Sequence, residues 1–454
     1  MNILFLHISE HTNNKFRTNL VPCGMFGLAD YISNSGANVK IIHKELEELL
    51  NPGFSITEHI AKNKYRIVCM DLNYHTQAFS VIKYAQLIKH SFTDTYICLG
   101  GMTASLYANE ILENFPELDF IIRGDSEEPL LRLITALKNK QSPVLIKGIS
   151  YRQGKRIFNN ELAGSIKPDI LNNISFSNYS LLAHYDEYLR LRMGTPILYK
   201  ERQAYYSAGR NCNKNCSFCG ASVDVKKKLS VNGATLWKSI PSVLNDFKKF
   251  KEYQISSWNT CWDPPDNHEY YLELFNKIRK NNIYLKLVFD CFDLPHTEFI
   301  RAVRQTFISG SVLTLSPNSG SQQVRVNNKL SKYSNEKIFE TCDLIAKNSL
   351  LCSIYFSAGF AGEKISDTKK TIKLIQQIKN KFPNFRIIAE MIEPEPFANA
   401  LMSDNDGDLT GFPKTFMDYY QLHKDGKELS YGTKYFKFEE IKEIIGEYNT
   451  YASN

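Results

Sequence analysis

Residues 211–219 read NCNKNCSFC, which sets Cys212, Cys216 and Cys219 at spacings of four and three. What three thiols so close together are for decides how the rest of the chain is read. A structural zinc site takes four ligands, usually as two close pairs, and the next Cys or His after Cys219 is Cys261. A disulfide would leave one thiol over and suits an oxidising compartment. An iron–sulfur cluster held by three thiolates leaves one iron open to a substrate or cofactor. The other seven cysteines (Cys23, Cys69, Cys98, Cys261, Cys291, Cys342 and Cys352) are scattered. Several sit in apolar runs, where a free thiol behaves as a small hydrophobe.

The loop lies between a short β-rich run, RQAYYSAG (202–209), and a helical pattern that puts Ile240, Val243, Leu244, Phe247 and Phe250 on one face. The alternation continues through ISSWNTCW, LKLVFDCF, GSVLTLSP, LCSIYFSAGF and FRIIAEMIEP, with helical patterns between them. Six strand–helix units are too few for a closed eight-fold barrel and fit an open six-stranded (β/α)6 partial TIM barrel over residues 197–400. In barrels of this kind catalysis sits at the carboxyl ends of the strands, and the three cysteines follow the first strand directly.

Upstream, residues 1–144 hold five short apolar runs (NILFLHI, NVKIIH, YRIVCMDL, TYICLGG and DFIIRGD) separated by helical patterns. Such alternation predicts a doubly wound, Rossmann-like α/β domain that binds ligands at its strand ends. Residues 145–196 are less regular and read as a connecting segment. Residues 401–454 open with a turn-rich stretch and end on one helical pattern, so a small, mostly helical extension is expected.

Composition agrees with a globular multidomain protein: 454 residues, 43% hydrophobic and 23% charged. A net charge of +7 is modest for this length. It gives no reason to expect a nucleic-acid partner, and the run Lys226–Lys228 reads as a solvated face. No apolar run approaches the ~18 residues of a membrane span, and the first residues lack a signal-peptide pattern. A cytoplasmic location is therefore expected.

The segment GRNCNKNCSFCGAS (209–222) resembles the CxxxCxxC loop of the radical S-adenosylmethionine (SAM) superfamily, including the aromatic Phe218 before the last cysteine. SPNSGSQQVRVNNKLSKYSNEKIFETCDLI (316–345), IYFSAGFAGE (354–363) and EMIEPEPFANALMS (390–403) resemble its fourth, fifth and sixth strands. The resemblance implies that Cys212, Cys216 and Cys219 hold a [4Fe–4S] cluster whose fourth iron chelates SAM, and that reduction yields a 5′-deoxyadenosyl radical. It further implies cofactor contacts from Phe218, Ser316, Asn318, Ser319, Gly359 and Gly362. Relatives commonly carry Glu at the position of Asn318, which offers hydrogen bonds but no charge.

The upstream domain, with LGGMTASLYANEIL (99–112) and LDFIIRGDSEEPLLRLI (118–134), resembles the cobalamin-binding domain of B12-dependent radical SAM enzymes. Gly100, Gly101 and Gly124 would then let backbone approach a flat ligand. The DxHxxG motif that supplies a cobalt-ligating histidine in some relatives is absent; His7 and His11 occupy that loop. The family implies transfer of a methyl group via methylcobalamin to an unactivated centre of a small-molecule or peptide substrate, as in natural-product biosynthesis. An external electron donor such as flavodoxin or ferredoxin would serve the cluster. Alternatives are radical cyclisation, rearrangement or epimerisation without methyl transfer, and a non-catalytic cofactor-binding scaffold. At strand ends facing the mouth, Cys261, Asp263, Asp290, Cys291 and Asp293 are candidates for catalytic contact with substrate, as proton relays or hydrogen donors. Glu393 and Glu395, framed by prolines, read as turn formers.

Overall fold

The computed structural model describes residues 1–9, 11–12, 15–16, 20–229, 235–260, 268–402 and 408–453. Cys261, Trp262 and Asp263 lie outside these, as does the side chain of His11.

The five apolar runs of the first domain form β1 (Asn2–His7), β2 (Asn38–His43), β3 (Ile67–Asp71), β4 (Tyr96–Gly100) and β5 (Phe120–Ile122). They are parallel and ordered 2-1-3-4-5. Each run is apolar throughout because the sheet is covered on both faces. Ile3 and Phe5 of β1 enter one core while Leu4 and Leu6 enter the other, as strand alternation requires. The stretch read as a connector does more than connect. Its β6 (Ile149–Gln153) and β7 (Arg156–Asn159) form a hairpin that extends the sheet antiparallel to β5.

The second sheet has six parallel strands in sequence order: β8 (Gln203–Tyr205), β9 (Ser257–Asn259), β10 (Lys286–Cys291), β11 (Val312–Asn318), β12 (Leu351–Ala358) and β13 (Arg386–Met391). This is the open six-stranded barrel expected from the alternation. Helix Ile240–Glu252 buries Ile240, Val243, Phe247 and Phe250 of the stripe predicted from its periodicity, with Leu244 half-buried at its edge. In the C-terminal extension, Phe416 and Tyr419 of helix Phe416–Lys424 join the core on the outer face of the first sheet. Helix Phe438–Ser453 packs Ile441 and Tyr448 into the core that contains β12 and β13.

The two sheets share one core: Phe5, Cys69 and Cys98 of the first are continuous, through Phe176 and Tyr179, with Tyr206, Phe247 and Trp258 of the barrel. A buried polar knot sits in that seam. Lys238 Nζ meets Asp246 Oδ2 at 3.0 Å and the Ile174 carbonyl at 2.5 Å, with both charged side chains withdrawn from water. Asp246 also accepts from the hydroxyls of Tyr206 (2.9 Å), Ser177 (3.0 Å) and Ser175 (2.5 Å). Removing one partner strands the other charge in an apolar core. Asp246→Ala should therefore lower unfolding free energy by about 3–5 kcal/mol in chemical denaturation, whereas the exposed pair Lys337–Glu340 should contribute under about 1 kcal/mol.

Candidate active site

The cysteine loop leaves the barrel after β8 and is held mostly from outside. Ser217 N–H donates to the Asn328 carbonyl at 2.8 Å and its hydroxyl to Asn328 Oδ1 at 2.7 Å. Asn328 Nδ2 in turn reaches the Ala361 carbonyl beyond β12 at 3.2 Å. On the other side, Glu395 N–H donates to the Phe218 carbonyl at 3.0 Å, and Gly220 N–H donates to the Glu395 carboxylate at 2.6 Å. Lys214 forms an ion pair with Asp293, whose second oxygen accepts from Ser331 Oγ at 2.9 Å. Asp293, expected to relay protons or orient substrate, thus clamps the loop to the end of β10. Glu395 does shape a turn, and that turn carries the loop.

The donor set fits an iron–sulfur cluster. Backbone N–H groups of Lys214 and Ala221 point at the sulfurs of Cys212 and Cys219, each at 3.3 Å, which is how proteins stabilise cluster thiolates. Among the described residues no three His, Cys, Asp or Glu side chains are grouped to hold a single ion. A [4Fe–4S] cube places each thiolate on a different iron and asks for wider spacing. Burial pushes the Cys216 and Cys219 thiols up, so loading the site must release their protons.

Above the loop, Asn318 adopts φ +64°, donates to Ser357 Oγ at 3.3 Å and accepts from Lys329 Nζ at 3.1 Å. Lys329 also donates to the Ser316 carbonyl. Burial lowers its pKa to about 8 against the opposing pull of Cys216 and Asp293. Where a Glu at position 318 would give Lys329 a carboxylate, Asn318 leaves it with neutral oxygens. Sequence reasoning passed over Lys329 and Asn328, although both stand in the quoted segment one helix beyond β11. Ser319 is fully buried in the turn, sharing its hydroxyl with Thr371 (3.3 Å) and the Ser321 N–H (3.1 Å).

Gly359 (φ +94°) and Gly362 (φ +73°) shape the turn after β12. A side chain at Gly359 would strike the Tyr431 hydroxyl at 2.4 Å, whereas Gly362 faces open space. Phe218 meets Phe360 edge-on at 5.7 Å. Glu363 is buried and accepts the Gly359 N–H at 2.8 Å; burial raises its pKa to about 7 despite that bond.

Strand alternation separates the remaining candidates. Cys291 is buried against the helices, with Cys342 and Cys352 on the same outer side, and does not face the lumen. Asp290 points the other way, toward Thr314, and burial raises its pKa to about 6. Tyr355 lies near both Asp290 and Glu390.

The second half of the site is a cavity of about 290 Å³ where the first sheet ends. Gly100, Gly101 and Gly124 line it from the first domain; Arg210, Asn211, Lys226 and Leu229 line it from the barrel. Ser105 joins the two glycine turns, donating to the Gly101 carbonyl (2.7 Å) and accepting the Gly124 N–H (3.2 Å). Gly101 (φ +104°) and Gly124 (φ +77°) are also required by crowding, since a side chain would meet the Leu72 and Leu229 carbonyls at 2.7 and 2.4 Å. Gly100 is the freer of the three, its nearest neighbour being Ser126 Oγ at 3.9 Å. Arg210, two residues before Cys212, pairs with Glu127 at 2.5 Å and Asp125 at 3.6 Å across the seam. Burial opposes its charge, but the two carboxylates outweigh that and hold it fully protonated. Glu127 Oε2 is buried at the cavity without a hydrogen-bond partner. A glycine cradle, an orphaned carboxylate oxygen and an apolar depth together suit a large ligand with one flat apolar part. His7 does not reach this cavity; its Nδ1 is spent on Asp71 at 2.9 Å.

The start of the cysteine loop, at Arg210 and Asn211, and the glycine turns of the α/β domain line one cavity, so the chain is a two-domain protein with a shared site between its domains. The model of the radical SAM superfamily matches residues 206–375, and that of the B12 binding domain matches residues 12–134. Residues 206–375 thus form a radical SAM domain and residues 12–134 a B12-binding domain. Among curated relatives, the anaerobic magnesium-protoporphyrin IX monomethyl ester cyclase of Synechocystis is 21% identical over 44% of this chain and 38% of its own length. The hopanoid C-3 methylase of Methylococcus capsulatus is 21% identical over 56% and 44%. The chain thus spans less than half the length of these curated relatives. Of solved structures, the radical SAM methyltransferase TsrM from Kitasatospora setae, with cobalamin and a [4Fe–4S] cluster bound, superposes with a TM-score of 0.71 at 13% identity, covering 99% of this chain and 88% of that one. The cobalamin-dependent radical SAM enzyme OxsB does so with 0.63 at 13%, covering 94% and 56%. Both share the fold.

Two outcomes follow. Asp293→Ala should lower cluster affinity about 10–100-fold, read as iron content after reconstitution, with circular dichroism unchanged. Asp290 is held neutral up to pH about 6 in the fold, whereas a free aspartate ionises near ~4. Its contribution to stability is complete below pH ~4 and is lost as pH rises through about 6. Asp290→Asn should remove that slope when denaturation midpoints are compared across pH 4–7.

Proposed function

We propose that the chain cleaves SAM at a [4Fe–4S] cluster held by Cys212, Cys216 and Cys219, and transfers a methyl group to an unactivated centre of a small-molecule or peptide substrate with cobalamin in the interdomain cavity. When bound, the cluster supplies the electron for SAM cleavage and the corrinoid supplies a transferable methyl group. One observation carries the reading: Asn211, adjacent to Cys212, lines the same cavity as Gly100, Gly101 and Gly124. The place where a radical would be made and the place where a methyl group would be stored therefore adjoin, and holding reactants together is most of what such a reaction needs.

This chain's residues would act by positioning. The clamps from Asp293, Asn328 and Glu395 fix the thiols; Arg210 fixes the loop against the corrinoid domain. Lys329 sets a buried positive charge beside Cys216 and is suited to hold an anionic group such as the carboxylate of SAM. Gly362 and Phe218 border the turn that would receive the adenosyl moiety, with Ser316 and Asn318 across the mouth. Asp290 and Tyr355, inside the barrel, are suited to substrate contact. An external one-electron donor such as flavodoxin or ferredoxin completes the cycle.

A second reading, radical cyclisation without methyl transfer, is favoured by the cyclase among the relatives. Isotope tracing separates the two. Reconstituted protein given reductant, hydroxocobalamin and SAM labelled in its methyl group should yield 5′-deoxyadenosine and a labelled product. Formation of 5′-deoxyadenosine with an unlabelled product would sink the methyl-transfer reading and leave cyclisation or rearrangement. Cys212→Ala should abolish 5′-deoxyadenosine formation under either reading.

A further inference from the structure

We propose that Lys226 is an anion-recognising residue of the interdomain cavity and binds the phosphodiester in the nucleotide tail of the corrinoid. The proposal rests on the cobalamin reading of that cavity. In the sequence, Lys226–Lys228 looks like a solvated run, and for two of the three it is: Lys227 pairs with Asp224 at 3.6 Å on the surface, and Lys228 lies over the Phe397 ring at 5.8 Å. Lys226 turns the other way. It lines the cavity together with Leu229, one helical turn on.

Each carboxylate at the cavity has at least one partner, although one oxygen of Glu127, Oε2, has none. Asp71 is held by His7 (2.9 Å) and Asn73 (3.3 Å). Asp125 is held by the Ile166 N–H (2.8 Å) and Arg210 (3.6 Å). Glu127 is held by Arg210 (2.5 Å). Lys226 has no ion pair among the described residues; the one carboxylate that favours its charge, Asp125, acts from beyond pairing distance while burial pulls its pKa down. Lys226 is half-buried, and a cation partly withdrawn from water at a cavity wall without a counter-ion is a favourable partner for an anionic ligand.

The cavity also selects among anions. Its depth is apolar, walled by Phe5, Met25, Leu28, Cys69, Cys98 and Leu130, which suits the aromatic base of a cofactor whose corrin ring would lie at the mouth. An aromatic group tethered to a phosphodiester, as in the nucleotide tail of cobalamin, matches an apolar slot with one lysine at its rim.

The test is spectroscopic titration of the cluster-reconstituted full chain with cobalamin, cobinamide phosphate and cobinamide, which differ in the tail. The unaltered protein should bind cobinamide phosphate about 10–100-fold more tightly than cobinamide, the value of one charge-assisted hydrogen bond. Lys226→Met should erase that ratio and Lys226→Arg should keep it; Lys226→Gln serves in place of Met if the latter does not fold. An unchanged ratio in Lys226→Met overturns the proposal, as does equal weakening toward all three corrinoids. Altered iron content or cluster absorption with the ratio preserved would assign the charge to the cluster loop instead. If the unaltered protein binds none of the three, the cobalamin reading fails and the proposal with it.

Discussion

A loop that sets three cysteines within eight residues, outside any helix or strand, takes its order from the groups that hold it. Here the holding is done by neighbours that come from distant parts of the sequence. Asn328 grips Ser217, Glu395 grips both Phe218 and Gly220, and Asp293 grips Lys214. Each grip originates at the carboxyl end of a different barrel strand or just beyond it. The barrel is what brings β10, β11 and β13 to one rim, so the loop's order depends on the whole sheet having closed correctly.

The same rim governs the charge distribution. Arg210 leaves β8 toward the first domain and meets Glu127 and Asp125, which places a largely buried ion pair between the cysteine loop and the turn after β5. Breaking it would leave a charge in the seam, so the relative placement of the two domains is held by electrostatics as well as by the continuous apolar core from Phe5 to Trp258. Lys329 and Lys226 contrast with Arg210. Lys329 is buried and Lys226 half-buried near the cysteines, and each lacks a carboxylate at pairing distance among the described residues, a condition that suits an anionic ligand.

Several candidate residues were legible by type but not by role. Asp293 was recognisable as a polar residue at a strand end, yet nothing in its neighbours signals that Lys214, 79 residues earlier, would reach it. Cys291 and Asp290 stand side by side in the chain, and only the facing of β10 sends one into the helix-packed core and the other into the lumen. Lys226 was hidden inside a basic run whose other two members are ordinary surface residues. The connector 145–196 concealed a hairpin because its polar, asparagine-rich composition resembles a loop, while edge strands tolerate that composition.

What the sequence determined by itself was the periodic and the local. The eleven parallel strands follow from short apolar runs at regular intervals, and the grouping of three thiols in one loop from cysteines close enough that no fold could separate them. Gly101 and Gly124 announced turns because no other residue adopts their backbone conformation without strain. What only the tertiary structure decided was non-local: which carboxylate meets which cation, which face of a strand looks inward, and that the glycine turns and the cysteine loop border one cavity. Those outcomes depend on desolvation and distance between residues 79 to 175 positions apart, and neither quantity is a property of any stretch of sequence.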